Sequence, residues 1–135
     1  MSLPIPPGRV SPDSREHFDG LEAGKLLLPR CDRCGTVIWY PRHLCPACGS
    51  LEVSWFEAGG RGTLHSFSVI RRGQGAYAEA TPYVLAYVEL EEGPRVMTNL
   101  LVDPSNLDSL AIGQQVEMVI ERGDGVPPLL RFRLA

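Results

Sequence analysis

Four cysteines fall in two matched blocks, Cys31-Asp32-Arg33-Cys34-Gly35 and Cys45-Pro46-Ala47-Cys48-Gly49, with ten residues between Cys34 and Cys45. Within each block two residues separate the thiols, which lets both sulfurs reach one ion at about 2.3 Å in tetrahedral geometry. The glycine that follows permits the turn that aims backbone N–H groups at sulfur. Two such knuckles joined by a short strand are the layout of a zinc ribbon. A lone Cys-x-x-Cys is compatible with redox chemistry, but the doubled, glycine-terminated pattern is far more specific. Cys31, Cys34, Cys45 and Cys48 are therefore the expected metal ligands. Protein fills all four positions, which points to a structural ion and away from hydrolysis. Zinc is expected, and iron in a rubredoxin-like site is the alternative that the same knuckles allow. A ribbon of about 30 residues has little core, so it is expected to fold only with metal.

The remainder of the 135-residue chain has a globular composition, 44% apolar and 21% charged. That apolar content supports a packed core and argues against disorder. The net charge of −3 offers no basic face for nucleic acid. Lys25 is the single lysine among cations that are otherwise arginine, a residue suited to planar contacts with carboxylate or phosphate. No apolar run approaches the ~20 residues needed to cross a bilayer. The proline-rich start lacks the apolar stretch of a signal peptide. A cytoplasmic location without a membrane partner is expected, and there cysteines are more often metal ligands than disulfides.

Along the chain, residues 1–28 read as an N-terminal arm and short helix, 29–57 as the ribbon, and 58–135 as a β-rich domain. Pro4, Pro6, Pro7 and Gly8 make the start an extended arm. Asp13 three residues before Glu16 resembles a capping box, so the helix is expected to begin at Asp13. Phe18 and Leu21 share one face of it, and Gly24 stands where a helix C-terminus favours glycine. Residues 36–40, with Val37, Ile38, Trp39 and Tyr40, favour a strand, and 51–56 alternates loosely. Gly59-Gly60-Arg61-Gly62 marks a boundary. Beyond it five strands are expected, at 63–71, 83–90, 95–102, 115–121 and 128–134. Those at 83–90 and 115–121 alternate most cleanly. Strand-rich domains of this size close into barrels to remove their edges. A five-stranded OB-fold barrel fits best, and an SH3-like barrel is the second choice.

No catalytic set stands out. His17, His43 and His65 lie in no recognisable nucleophile or metal motif. His43 adjoins the second knuckle, where a surface role or a hydrogen bond to a partner is expected, and His65 alternates with Phe67 as a packing residue. Arg71-Arg72-Gly73-Gln74-Gly75 puts two guanidinium groups on a glycine loop that could grip a phosphate, without the lysine and helix of a P-loop. Trp39 and Tyr40 add large apolar surface near the ribbon, suited either to packing or to a partner. Arg71, Arg72, Trp39, Tyr40 and His43 are thus the candidate ligand or partner contacts.

The order of parts resembles a known family. A short helix is followed by Gly24-Lys25-Leu26, the two knuckles, Gly60-Arg61-Gly62-Thr63, Pro82-Tyr83-Val84, Glu92-Gly93-Pro94-Arg95 and finally Arg131-Phe132. This resembles the small zinc-ribbon/OB-fold proteins associated with acyl-CoA metabolism, over roughly residues 18–132. The resemblance implies a helical N-terminal segment, a rubredoxin-like ribbon and a C-terminal OB barrel. It also implies an accessory subunit beside a thiolase, a thiolase-like aldolase, a hydroxymethylglutaryl-CoA synthase or a hotdog-fold enoyl-CoA hydratase. The partner performs the chemistry, and the small protein stabilises it, bridges subunits or helps hold the CoA portion. The zinc ligands carry over to Cys31, Cys34, Cys45 and Cys48, and no catalytic residue carries over. Members often have two adjacent aromatics where this chain has His17-Phe18.

Two other functions compete with a non-catalytic subunit of an acyl-CoA enzyme. One is a single-stranded nucleic-acid module, since aromatics on strands can stack bases; the charge and the scarcity of lysine oppose it. The other is a stand-alone acyl-CoA-binding protein.

Overall fold

The computed structural model describes residues 3–135. One helix, α1 (Arg15–Glu22), precedes a two-stranded antiparallel sheet of β1 (Leu26–Cys31) and β2 (Val53–Ala58), with Leu26 opposite Ala58 and Cys31 opposite Val53. The knuckles and the segment between them fill the long connection between these strands.

The helix starts later than its acids suggest. Ser14, not Asp13, is the N-cap, and no side chain caps the helix N–H groups. The Ser14 hydroxyl instead accepts from the Ser11 N–H at 3.0 Å. The C-terminus follows the glycine rule. Gly24 adopts φ +81°, its N–H donates to Leu21, and the Lys25 N–H donates to Gly20. That pair of bonds is a Schellman motif and satisfies two orphan carbonyls.

Five strands follow: β3 (Arg61–Ile70), β4 (Tyr83–Leu90), β5 (Arg95–Leu101), β6 (Gln115–Glu121) and β7 (Leu129–Leu134). They close as a barrel in the order β3-β4-β5-β7-β6, with β6 returning to β3 through Arg61 opposite Glu117. The β5–β7 pairing is parallel and the others are antiparallel. This is the OB-fold expected from the alternation. Closure leaves no open edge, which removes the aggregation hazard of unpaired strands.

One core joins the helix, the ribbon sheet and the barrel. Leu21, Leu26, Leu28 and Ala58 share a buried cluster with Leu64, Val84, Val88, Val96, Leu100, Val116 and Phe132. Complete burial of a side chain such as Phe132 contributes roughly 1.5–3 kcal/mol. A separate small cluster of Cys31, Ile38 and Cys45, backed by Val53, sits inside the ribbon.

Two sequence expectations fail here. Residues 36–40 are not a strand. The chain makes one bridge, Val37 to Arg30, and the Ile38 N–H donates to Pro29 at 2.8 Å. It then bends so that Trp39 and Tyr40 meet the ring of His17 edge-on. The apolar run before the first cysteine takes the strand position as β1. His65 does not pack beside Phe67. The register shifts between Leu64 and Ser66; His65 stays on the exposed face with Arg61, and the bulge carries Phe67 to the face that packs against the core.

Candidate metal centre

The two knuckles are near copies of each other. The Cys31 N–H donates to Thr36 and the Cys45 N–H to Ser50, each at 2.9 Å. The Gly35 N–H returns to Cys31 and the Gly49 N–H to Cys45, again at 2.9 Å. Gly35 and Gly49 hold φ +79° and +78°, a conformation that a side chain would strain. In each knuckle the first cysteine is buried and the second exposed.

This duplication turns four sulfurs toward one point. Cys31 Sγ lies 3.5 Å from Cys48 Sγ, and Cys34 Sγ lies 3.6 Å from Cys45 Sγ. All four lie within 4.8 Å of one another. A tetrahedral zinc–sulfur site with bonds of about 2.3 Å has edges of about 3.8 Å. The cysteines are unbridged, and their spacing fits a metal tetrahedron. Such an ion, held by Cys31, Cys34, Cys45 and Cys48, would cross-link the two knuckles and offer no open position.

The local field prepares for a cation. The Thr36 hydroxyl, 3.1 Å from Cys34 Sγ, and the Thr36 backbone pull the Cys34 thiol down to about 6. The Cys34 backbone N–H favours the Cys31 thiolate and lowers its pKa. The Ser50 backbone N–H acts in the same sense on Cys48, but the neighbouring Cys31 sulfur and burial oppose it, and the Cys48 thiol is pushed up to about 12. Four like charges at this separation repel strongly, and a divalent ion relieves that repulsion.

Around the sulfurs, the remaining candidates separate. His43 lies between two carboxylates of the helix start, with Nδ1 3.4 Å from Asp13 and Nε2 3.3 Å from Glu16. Its ring also meets Trp55 edge-on at 6.3 Å. The second knuckle is thereby tied to α1, a role for Asp13 and Glu16 that the capping reading missed. Trp39 and Tyr40 belong to a His17–Phe18–Trp39–Tyr40 aromatic cluster, with Tyr40 still 44% exposed. Arg71 and Arg72 are exposed on the loop after β3 and take no part in the ion pairs of the described residues.

Sequence reading also missed Arg131. It is wholly buried in β7, donating to Glu121 at 2.6 Å, to the Pro4 carbonyl at 2.7 Å and to the Tyr77 hydroxyl at 3.1 Å. No local signal could have found it, because its partners lie 10, 127 and 54 residues away.

Comparison with known proteins agrees with this architecture. Residues 18–54 match the family model described as the ChsH2 rubredoxin-like zinc ribbon domain, and residues 55–121 match the ChsH2 C-terminal OB-fold domain. A DUF35 domain-containing scaffold protein of Methanothermobacter thermautotrophicus is 42% identical over 97 residues, covering 69% of each chain. A protein of Thermomonospora curvata described as "Probable enoyl-CoA hydratase alpha subunit" is 35% identical over 79% of this chain and 33% of its own length. Among solved structures, a chain of the Ltp2-ChsH2(DUF35) aldolase superposes with a TM-score of 0.80 at 33% identity, covering 94% of this chain and 98% of the other.

Proposed function

The chain belongs to the ChsH2/DUF35 family of zinc-ribbon and OB-fold proteins, and from that premise we propose that it is a non-catalytic accessory subunit of an enzyme that processes acyl-CoA thioesters. The observation that carries this reading is the closed sulfur site. Four protein ligands at tetrahedral spacing leave no position for substrate or water. The names of the hydratase and aldolase relatives support a partner of thiolase, thiolase-like aldolase or enoyl-CoA hydratase type.

The ion is zinc, the metal that a closed tetrahedral thiolate set suits best, with iron as the competitor. Its role is to hold the ribbon, residues 29–57, against the arm and helix of 1–28 and the barrel of 58–135. Arg71 and Arg72 are suited to the phosphates of a CoA thioester, and Trp39, Tyr40 and His43 present the ribbon side to the partner. The protein acts in the cytoplasm.

The test is affinity purification of the full chain from its native cells, followed by activity assays of the isolated chain. An acyl-CoA enzyme is expected to co-purify in a fixed ratio, and the isolated chain is expected to leave a panel of acyl-CoA thioesters unchanged. Turnover by the isolated chain, or its recovery without any acyl-CoA enzyme, would contradict the proposal.

A further inference from the structure

The arm before the helix is seated on the barrel by its tip. Leu3 is buried, Pro4 and Ile5 are half-buried, and residues 6–10 are exposed. Among the described residues no main-chain hydrogen bond ties 3–10 to the barrel. Pro4, Pro6 and Pro7 have no N–H with which to add as a strand. The polar hold on the tip is the Pro4 carbonyl, which accepts from Arg131 Nη2 at 2.7 Å and from the Tyr77 hydroxyl at 3.5 Å. The root of the arm is fixed separately. There the Ser11 N–H donates to the Ser14 hydroxyl at 3.0 Å, and the Ser14 N–H donates to the Ser11 carbonyl at 3.1 Å. A seated tip and a fixed root are thus joined by an exposed stem.

The position of the tip gives this contact its meaning. The loops between the first two and the last two barrel strands, 71–82 and 122–128, flank the face on which OB barrels take elongated ligands. The arm touches both loops. Its Pro4 carbonyl meets Tyr77 of the first. Ile5 lies so close to the second that a Cβ on Gly123 would stand 3.4 Å from it. Leu3 lines a small hollow with Pro82, Leu100 and Val102. Pro6 walls a larger one, of about 200 Å³, with Tyr77, Leu85 of β4 and Met97 of β5. The arm therefore stands where a ligand of such a barrel would lie. Its own chemistry describes the seat: an extended apolar segment that offers one carbonyl to the Arg131–Tyr77 pair.

We propose that residues 3–8 form a releasable strap, an intramolecular occupant that shuts this face of the barrel and yields it to a competing segment of like chemistry. Release breaks no covalent bond. It hands Arg131 Nη2 and the Tyr77 hydroxyl from the Pro4 carbonyl to the incoming one. The inference goes beyond the accessory-subunit reading and does not depend on it.

The probe is a peptide of residues 3–10 with a fluorophore at its C-terminus. It is titrated into the full chain, a chain lacking residues 1–8, and the full-length Leu3→Asp variant, in which a charge at the buried tip unseats the arm. Circular dichroism and metal content verify that each is folded. A tethered arm competes at an effective concentration on the order of mM. The full chain is therefore expected to bind the peptide at least about tenfold more weakly than the truncated and Leu3→Asp chains do. A probe peptide carrying the same Leu3→Asp change is expected to bind the truncated chain about tenfold more weakly than the parent peptide does. Equal affinity of all three chains for the parent peptide, or no binding by the folded truncated chain, would overturn the strap. Loss of the fold in both variants would also overturn it, by making the arm a fixed part of the barrel. A full chain that is dimeric in size-exclusion chromatography and becomes monomeric on truncation would overturn the intramolecular occupant in favour of arms exchanged between copies.

Discussion

Arg122, just beyond β6, donates to the Leu21 carbonyl of α1 at 3.0 Å across 101 residues of sequence. The same nitrogen reaches the Glu22 carbonyl at 3.2 Å. A cation from the barrel thus sits on the C-terminal carbonyls of the helix, where the helix dipole favours it. The helix depends on contacts of this kind, because a helix of eight residues cannot stand alone in water.

Arg122→Met is therefore expected to loosen α1 from the barrel. The carbonyl contacts, not the exposed ion pair with Glu22, carry the effect, since exposed pairs contribute little. A loss of about 1–2 kcal/mol is expected in denaturant unfolding. Hydrogen exchange should quicken at residues 15–24 while the strands of the barrel keep their protection.

His17 gives the fold an acid sensitivity. Burial pushes its pKa down to about 4, while the Leu27 backbone acts weakly in the opposite sense. In the unfolded chain an ordinary histidine titrates near 6.5. Between these values the unfolded state binds a proton that the folded state does not, so stability is complete above about 6.5 and declines as pH falls toward 4. The loss approaches about 3 kcal/mol. His17→Phe should remove this component. Unfolding free energies of the parent and the variant are followed from pH 7 to pH 4 with metal in excess; the parent should lose about 3 kcal/mol more than the variant on acidification, and parallel curves would contradict the assignment.

Gly62 separates two requirements of the Gly60-Arg61-Gly62-Thr63 run. A Cβ on Gly62 would collide with the Glu89 carbonyl and the Val88 side chain, both on β4. The glycine is thus needed for close strand approach rather than for a positive φ. Gly62→Ala is expected to cost about 1–3 kcal/mol in thermal or denaturant unfolding. Gly59→Ala is the contrast: its Cβ would meet only the tip of the Glu92 side chain, and little change is expected.

Much of the fold was legible because local pattern and final burial coincide. In β4, Val84, Ala86, Val88 and Leu90 alternate in sequence and all four are buried. The knuckles were legible because both the chemistry and the turn lie within five consecutive residues. Features set by distant partners were not. The stretch from Thr36 to Tyr40 has strand-favouring residues, yet contact with His17 bends it away from a sheet. His65 and Phe67 share a face by simple alternation, but a bulge between Leu64 and Ser66, invisible in the sequence, puts them on opposite faces. In the sequence Arg131 stands only as part of the Arg131-Phe132 motif of the last strand, with nothing local to show its burial. Only barrel closure and the returning arm bury it among Glu121, Tyr77 and Pro4.

Metal analysis of the full chain, purified without chelator, tests the central claim most directly. One zinc per chain is predicted, with less than stoichiometric metal and an unfolded ribbon when Cys34 and Cys45 are both replaced by serine. Protein that holds neither zinc nor iron, and whose ribbon amides stay protected after all four cysteines are replaced, would contradict it.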